Sequence, residues 1–412
     1  MSDPRQPTAT GGPLTGLKVL DLTQMLSGPY CTMILTDLGA RVLKVEAPGK
    51  GDTARASARL PGNDDPKSFG GYFNSINRGK QSLVVDLKAD AGKEIIRRLA
   101  TDSDVVVENF RAGVMDRLGL GYEALRDLNA KLVYGAIRGF GDPRTGESPY
   151  ADWPAFDVIA QAMGGMMGIT GPKGGPPTKI GPGVGDLIPA LFMTGGLLAA
   201  VLKARETGQG EFVDVAMMDA IMAICERPLY QHTYFGDVAE PEGNAHPLLA
   251  PFGSFQCRDG WVAIGCPYDH FWVTLTRIMG CPDMGHDPRF ALGPDRARNA
   301  DACNALVTAF TLQRTKDELA DLLGGKVPVG PVKTAPEILT DAHTAARNML
   351  AEVEQPGPGG GTFGIANTPL HFLESPGGVK GRAPELGEHT RAVLADYGYG
   401  VEEIDALFAG GV

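Results

Sequence analysis

The sequence of 412 residues has no CxxC pair and no regular cysteine spacing; its six cysteines, Cys31, Cys225, Cys257, Cys266, Cys281 and Cys303, are scattered. A zinc signature is thereby excluded and a disulfide framework disfavoured, leaving buried free thiols in a reducing compartment as the expectation. The histidines never pair at metal-ligand spacing and HExxH is missing, so no metal site is expected. Positive charge is in deficit: 38 Lys and Arg against 49 Asp and Glu give a net charge of −11. That argues against nucleic acid or an anionic membrane as the main partner. Small anionic ligands remain open, because they need only a local cluster of Lys, Arg and backbone N–H groups. The longest apolar run, Leu187 to Leu202, is interrupted by Pro189 and two glycines and falls short of a membrane span. The N-terminus, MSDPRQPTATGGP, lacks an apolar core and reads as a disordered leader over residues 1–13, not as a signal peptide, which makes cytoplasmic residence the expectation. No P-loop and no GxSxG occur, and the turn Thr23–Pro29 lacks GxGxxG, so NAD or ATP binding there is disfavoured.

What is present is a globular composition, 43% hydrophobic and 21% charged, on a chain long enough for two or three domains. In the first ~140 residues short β-rich runs alternate with helical ones. Leu17–Leu22, Arg41–Glu46, Ser82–Leu87, Val105–Glu108 and Leu132–Ile137 read as strands. Gly28–Leu38, Ala91–Ala100, Val114–Leu118 and Tyr122–Leu128 read as helices. Such alternation means an α/β domain, a parallel sheet covered by helices on both faces. A strand at Glu211–Val215 and a helix at Met217–Cys225 follow the apolar helix expected over Leu187–Lys203. From about residue 226 the texture changes to strands at Phe252–Gln256 and Trp261–Gly265, with helices at His270–Met279 and over Ala300–Leu323. The expected organisation is a large domain over 1–225, a smaller α+β domain over 226–345 and a C-terminal segment over 346–412.

The most informative short run is Gly181-Pro182-Gly183-Val184-Gly185-Asp186. Its glycines and proline argue for a sharp turn ahead of the apolar helix, with room for a ligand to approach the backbone. Asp186 is compatible with a general base, a metal ligand, a covalent nucleophile or an ordinary helix N-cap. Asp157, ahead of a Met- and Gly-rich helical stretch, poses the same choice. Glu108-Asn109-Phe110-Arg111, with Arg117 one turn on, follows a strand and opens a helix. It could hold a purine and its phosphates, or simply start a helix with Phe110 in the core. Lys88 adds a positive charge at an equivalent strand end.

Nine runs occur in one order, among them LKVLDLTQMLSGPYCTMILTDLGARVLKVEAPGKGD, NRGKQSLVVDLK, VVVENFRAGVMDRLGLGYEAL, AFDVIAQAMGGMMGITG, GVGD and GNAHPLLAPFGSFQCRDGWVAIG. Together, from residue 14 to about 410, they resemble the class III CoA-transferases, the group of formyl-CoA transferase, carnitine CoA-transferases and α-methylacyl-CoA racemase. The resemblance implies a Rossmann-like large domain built from both chain ends plus a small α+β domain, in an interlocked-ring homodimer. It implies acyl-CoA and a small carboxylic acid as substrates, with no permanently bound cofactor. The nucleophile would be Asp186, with Asp157 as the acidic residue beside it, and CoA would be held by Leu26, Ser27, Val85, Lys88, Asn109, Phe110, Arg111 and Arg117. Leu26 and Ala47 stand where formyl-CoA transferase has glutamine and arginine, which speaks against formyl or oxalyl specificity. The racemase alternative needs a histidine just before the position of Asp157. Phe156 occupies it and cannot titrate, so transfer, with a dicarboxylate such as succinate, is the stronger expectation. Arg55, Arg138 and His246 are candidates for the distal carboxylate's cation.

Overall fold

The computed structural model describes residues 11–375 and 377–411. The chain divides into two compact units: one of Met1–Met166, Gly181–Glu226 and Ala342–Val412, and a second of Met167–Ile180 and Arg227–Asp341.

The first unit is built on six strands: β1 (Lys18–Asp21), β2 (Arg41–Glu46), β3 (Gln81–Val84), β4 (Val105–Glu108), β5 (Val133–Arg138) and β6 (Phe212–Ala216). All neighbours run parallel, in the order β3-β2-β1-β4-β5-β6. The strand order reverses at β1, and in such a sheet ligands bind beyond the strand carboxyl ends at that point. The sequence explains the burial. β4 reads Val-Val-Val-Glu and is buried throughout, as a central strand covered on both faces must be.

The helices of this unit are α1 (Ser27–Asp37), α2 (Gly71–Asn77), α3 (Asp90–Ala100), α4 (Val114–Arg117), α5 (Tyr122–Leu128), α6 (Asp157–Met163), α7 (Val184–Thr207) and α8 (Met217–Ile224). α3 shows the helical period plainly: Ile95, Ile96, Leu99 and Ala100 are buried, while Asp90 opens the helix and Arg97 and Arg98 close it. Helix α7 is apolar on nearly every side and, by length and composition alone, could cross a membrane. Its buried stripe, including Met193 and Leu197, lies on β5, where a Cβ on Gly135 would fall 2.9 Å from both side chains. A larger residue at Gly135 would force both side chains to shift.

In the structure Met167–Ile180 groups with Arg227–Asp341 and not with the sheet-bearing unit. Thr178 N–H bonds the Thr170 carbonyl, and Gly243 N–H bonds that of Gly171, tying this excursion to the later loop. The second unit contains an antiparallel sheet of β7 (Phe252–Cys257), β8 (Gly260–Gly265) and β9 (Val329–Pro331), packed around Trp272, Phe255 and Leu275. The helical stretch expected over Ala300–Leu323 is two helices, Ala300–Thr311 and Lys316–Leu323. Thr315 restarts the helix with a capping box: Thr315 Oγ1 accepts from Glu318 N, and Glu318 Oε2 accepts from Thr315 N. The C-terminal segment supplies a hairpin, β10 (Leu350–Gln355) and β11 (Gly361–Ala366), turning at Pro356–Gly360. The six cysteines are all free, and five are buried. Of the expected leader, residues 1–10 lie outside the described residues; Gly12 is already packed, its carbonyl accepting from Thr15 Oγ1.

Candidate active site

Helix α7 starts at Val184, so Asp186 is its third residue and not, as the glycine run implied, in a turn ahead of it. Nor is Asp186 the N-cap: that position belongs to Gly183, and no side chain of the helix caps it. The cap comes from elsewhere. Asp157, the first residue of α6, accepts the Gly185 N–H at 2.8 Å through Oδ1, and Gln161 Nε2 donates to both Asp157 oxygens at 2.8 and 3.0 Å. Gly185 is required by this contact, since a Cβ there would lie 2.4 Å from the Asp157 carbonyl oxygen. One of the orphan N–H groups of α7 is thus satisfied by Asp157, leaving the neighbouring carboxylate of Asp186 uncommitted.

The electrostatics follow from that. Burial pushes Asp186 up to about 7, and the like charge of Asp157 adds to the rise; among the described residues no cation or hydrogen bond acts against them. The Tyr72 hydroxyl is pushed up to about 12, first by burial and then by Asp186, Asp52 and Asp157. No sequence signal pointed to Tyr72. For Asp52 a signal existed: Gly49-Lys50-Gly51-Asp52 repeats the Gly-x-Gly-Asp pattern of Gly183–Asp186.

Across the sheet's carboxyl edge, beyond β1, β2 and β3 and the turn after β4, lies a cavity of about 310 Å³. Val85 and Phe110 give it apolar walls, and Lys88 and Arg117 bring positive charge to its lining. That combination suits a flat heterocycle with phosphates.

A family model described as CoA-transferase family III matches residues 14–390. The chain belongs to that family. It is 45% identical over 389 residues to a succinyl-CoA:mesaconate CoA-transferase of Haloarcula hispanica, covering 94% of this chain and 97% of the relative. It is 34% identical over 387 residues to a succinate–glutarate CoA-transferase of Agrobacterium fabrum, covering 93% and 95%. A crystal structure of a CAIB/BAIF family protein from Brucella suis superposes with a TM-score of 0.82 at 34% identity, covering 94% of this chain and 100% of that one. The protein is a CoA-transferase, and CoA thioesters are its substrates.

Of the CoA contacts implied for this transferase by its sequence, Val85, Lys88, Phe110 and Arg117 line the cavity; Leu26, Ser27, Asn109 and Arg111 do not. Arg111 is exposed. Ser27 is buried, and its Oγ accepts from Asn109 Nδ2 at 3.3 Å. Asn109 makes two further bonds, both to the backbone of Gln24: Nδ2 donates to its carbonyl and Oδ1 accepts its N–H, each at 2.8 Å. The candidate cations for a distal carboxylate fare differently. Arg55 is buried in a bidentate pair with Glu46, at 2.7 and 2.6 Å, over the Phe73 ring. Arg138 is buried between Glu108, at 2.5 Å, and Asp142, at 2.7 Å. Both guanidiniums are already paired with buried carboxylates. His246 lies in the second unit, its Nδ1 accepting from Leu248 N at 3.0 Å.

Proposed function

We propose that the protein moves CoA between dicarboxylic acids through a covalent aspartyl-CoA thioester on Asp186. The observation that carries this reading is a carboxylate raised to about 7 by burial and by Asp157, with its oxygens free of hydrogen bonds among the described residues. Raised basicity makes a better nucleophile, and a nearly neutral pH still leaves much of it ionised. An Asp186 oxygen attacks the thioester carbonyl, the C–S bond breaks, and CoA leaves as thiolate with a mixed anhydride on the enzyme. The thiolate then attacks the aspartyl carbonyl of the anhydride, expelling the donor acid as its carboxylate and forming the aspartyl thioester. An acceptor carboxylate runs the two steps in reverse. No net proton is consumed.

Asp157 fixes the first turn of α7 and so aims Asp186. Gly185 and Gly164 cannot serve as oxyanion donors from their N–H groups, which are bonded to Asp157 and to the Ala160 carbonyl. The N–H groups of Gly183 and Gly165 make no hydrogen bond among the described residues and are the donors we assign to that task. CoA lies along the Thr23–Ser27 turn with its nucleotide in the cavity between Val85, Phe110, Lys88 and Arg117. Dicarboxylates are supported by the succinate, mesaconate and glutarate in the relatives' names. The functional molecule is the interlocked homodimer that the family resemblance implies; Leu191, Phe192 and Leu202 on α7 offer it an exposed apolar face.

The test is a chromatographic assay of succinyl-CoA against mesaconate, glutarate and oxalate. A dicarboxylate other than oxalate should be the best acceptor, and Asp186→Asn should transfer nothing. Full activity in that variant would overturn the mechanism. Solvent deuterium entering the α-position of a 2-methylacyl-CoA without any acceptor would restore the racemase reading.

A further inference from the structure

We propose that Asp52 is a positioning residue for CoA transfer: with Asn109 it locks the Thr23–Ser27 turn into the one conformation that receives the thioester. The inference rests on the reading above that CoA lies along this turn.

In a dinucleotide fold the first βα turn is glycine-rich, so its backbone can take unusual angles and approach the ligand closely. Here the turn is Thr23-Gln24-Met25-Leu26-Ser27, with no glycine, yet Met25 sits in the left-handed region at φ +65°. A non-glycine residue holds that conformation only where its surroundings over-determine it. They do. Thr23 N–H bonds Asp21 Oδ1 at 2.9 Å, and the Thr23 carbonyl accepts from Lys44 Nζ at 2.8 Å. Gln24 is held at both its N–H and its carbonyl by Asn109. Met25 N–H bonds Asp52 Oδ1 at 3.1 Å.

Asp52 joins these fastenings to the rest of the sheet edge. Its Oδ1 also accepts from Ala54 N at 2.9 Å, its own N–H bonds Glu46 Oε2 at 3.0 Å, and its Oδ2 lies 2.9 Å from the buried Lys44 ammonium. One carboxylate therefore ties the first turn to the end of β2 and to the short turn at Thr53–Ala56. The consequence reaches the nucleophile, because Leu26 Cδ2 lies 3.0 Å from where a Cβ on Gly183 would be, three residues before Asp186. A turn released at Met25 would shift both the backbone facing CoA and the wall beside the attacking carboxylate.

The experiment compares Asp52→Ala, Asp52→Asn and Asn109→Asp with wild type, using succinyl-CoA as donor and mesaconate as acceptor. Asp52→Asn keeps an acceptor for the Met25 and Ala54 N–H groups, whereas Asp52→Ala removes it. We expect kcat/KM for succinyl-CoA to fall about tenfold or more in Asp52→Ala, the order set by orphaning a buried N–H, and to recover most of that loss in Asp52→Asn. The kcat/KM for mesaconate should fall far less, because CoA is then held covalently. Asn109→Asp, which loses both donations from Nδ2, should show the same donor-selective loss, and it decides the matter if Asp52→Ala does not fold. An unchanged donor kcat/KM in folded Asp52→Ala or in Asn109→Asp, or equal losses for donor and acceptor, would overturn the proposal. A wild-type protein inactive with every dicarboxylate would instead overturn the function on which it rests.

Discussion

Asp186 is a carboxylate whose protonation matters near neutral pH, and two consequences belong to that residue. In the proposed mechanism the attacking form is the anion, so kcat/KM for the thioester should decline about tenfold per pH unit below about 7 and level off above it; a rate profile checks this. Stability should move the other way. In the unfolded chain this aspartate titrates near its ordinary value of 3.8, while in the folded protein it titrates near 7. Between those values the folded state holds the extra proton, so stability is lost as pH rises through the window and the loss is complete above 7. Asp186→Asn removes the penalty. It should be more stable than wild type at pH 8, on the order of 2–4 kcal/mol, with the gap closing by pH 4. Urea denaturation at the two pH values reads it. Gly185→Ala is the complementary change. It drives a Cβ against the Asp157 carbonyl oxygen, displaces the first turn of α7 and should lower kcat about 100-fold in a protein that still folds.

At the scale of elements, β4 and β5 end in a buried ionic cluster, Glu108–Arg138–Asp142, which secures the two central carboxyl ends. Burial pushes Glu108 up to about 7 against the pull of Arg138. Replacing Arg138 with Met should cost about 3–5 kcal/mol in urea denaturation, because buried Glu108 loses its cation and Asp142 keeps only Arg144. The loss should fall on stability; were Arg138 a substrate cation, the KM for the acceptor acid would rise instead. These elements were largely legible in the sequence. Continuous apolar runs such as Val105–Val107 and the period of Ile95, Ile96 and Leu99 each announce their own partner surface, so strands and helices fall where the pattern puts them. The start of α7 was not legible. Glycine-rich sequence predicts a turn, and the bond that lets Val184–Asp186 be helical comes from Asp157, 28 residues earlier. The same holds for Asn109, whose amide works on Gln24, 85 residues away. Residue type and local spacing carry no record of such partners.

At the scale of the molecule, the sheet-bearing unit gathers three stretches of chain, including the C-terminal one. His389 N–H bonds the Ser82 carbonyl, and the Thr390 hydroxyl accepts from Val84 N, so residues more than 300 positions apart complete one edge of the sheet. Truncation after Asp341 should therefore leave an insoluble or unfolded product, as circular dichroism would show. The exposed apolar face of α7 belongs to the same scale. Phe192→Asp should weaken the proposed dimer, read as a lower mass by light scattering at dilute protein concentration.

The central claim is that CoA passes through Asp186 itself. Wild-type protein incubated with succinyl-CoA in the absence of acceptor, digested at low pH and analysed by mass spectrometry, should yield one peptide bearing CoA in thioester linkage at Asp186. Addition of mesaconate should discharge it, and Asp186→Asn should never acquire it. A CoA adduct on any other residue, or turnover in Asp186→Asn equal to wild type, would contradict the account.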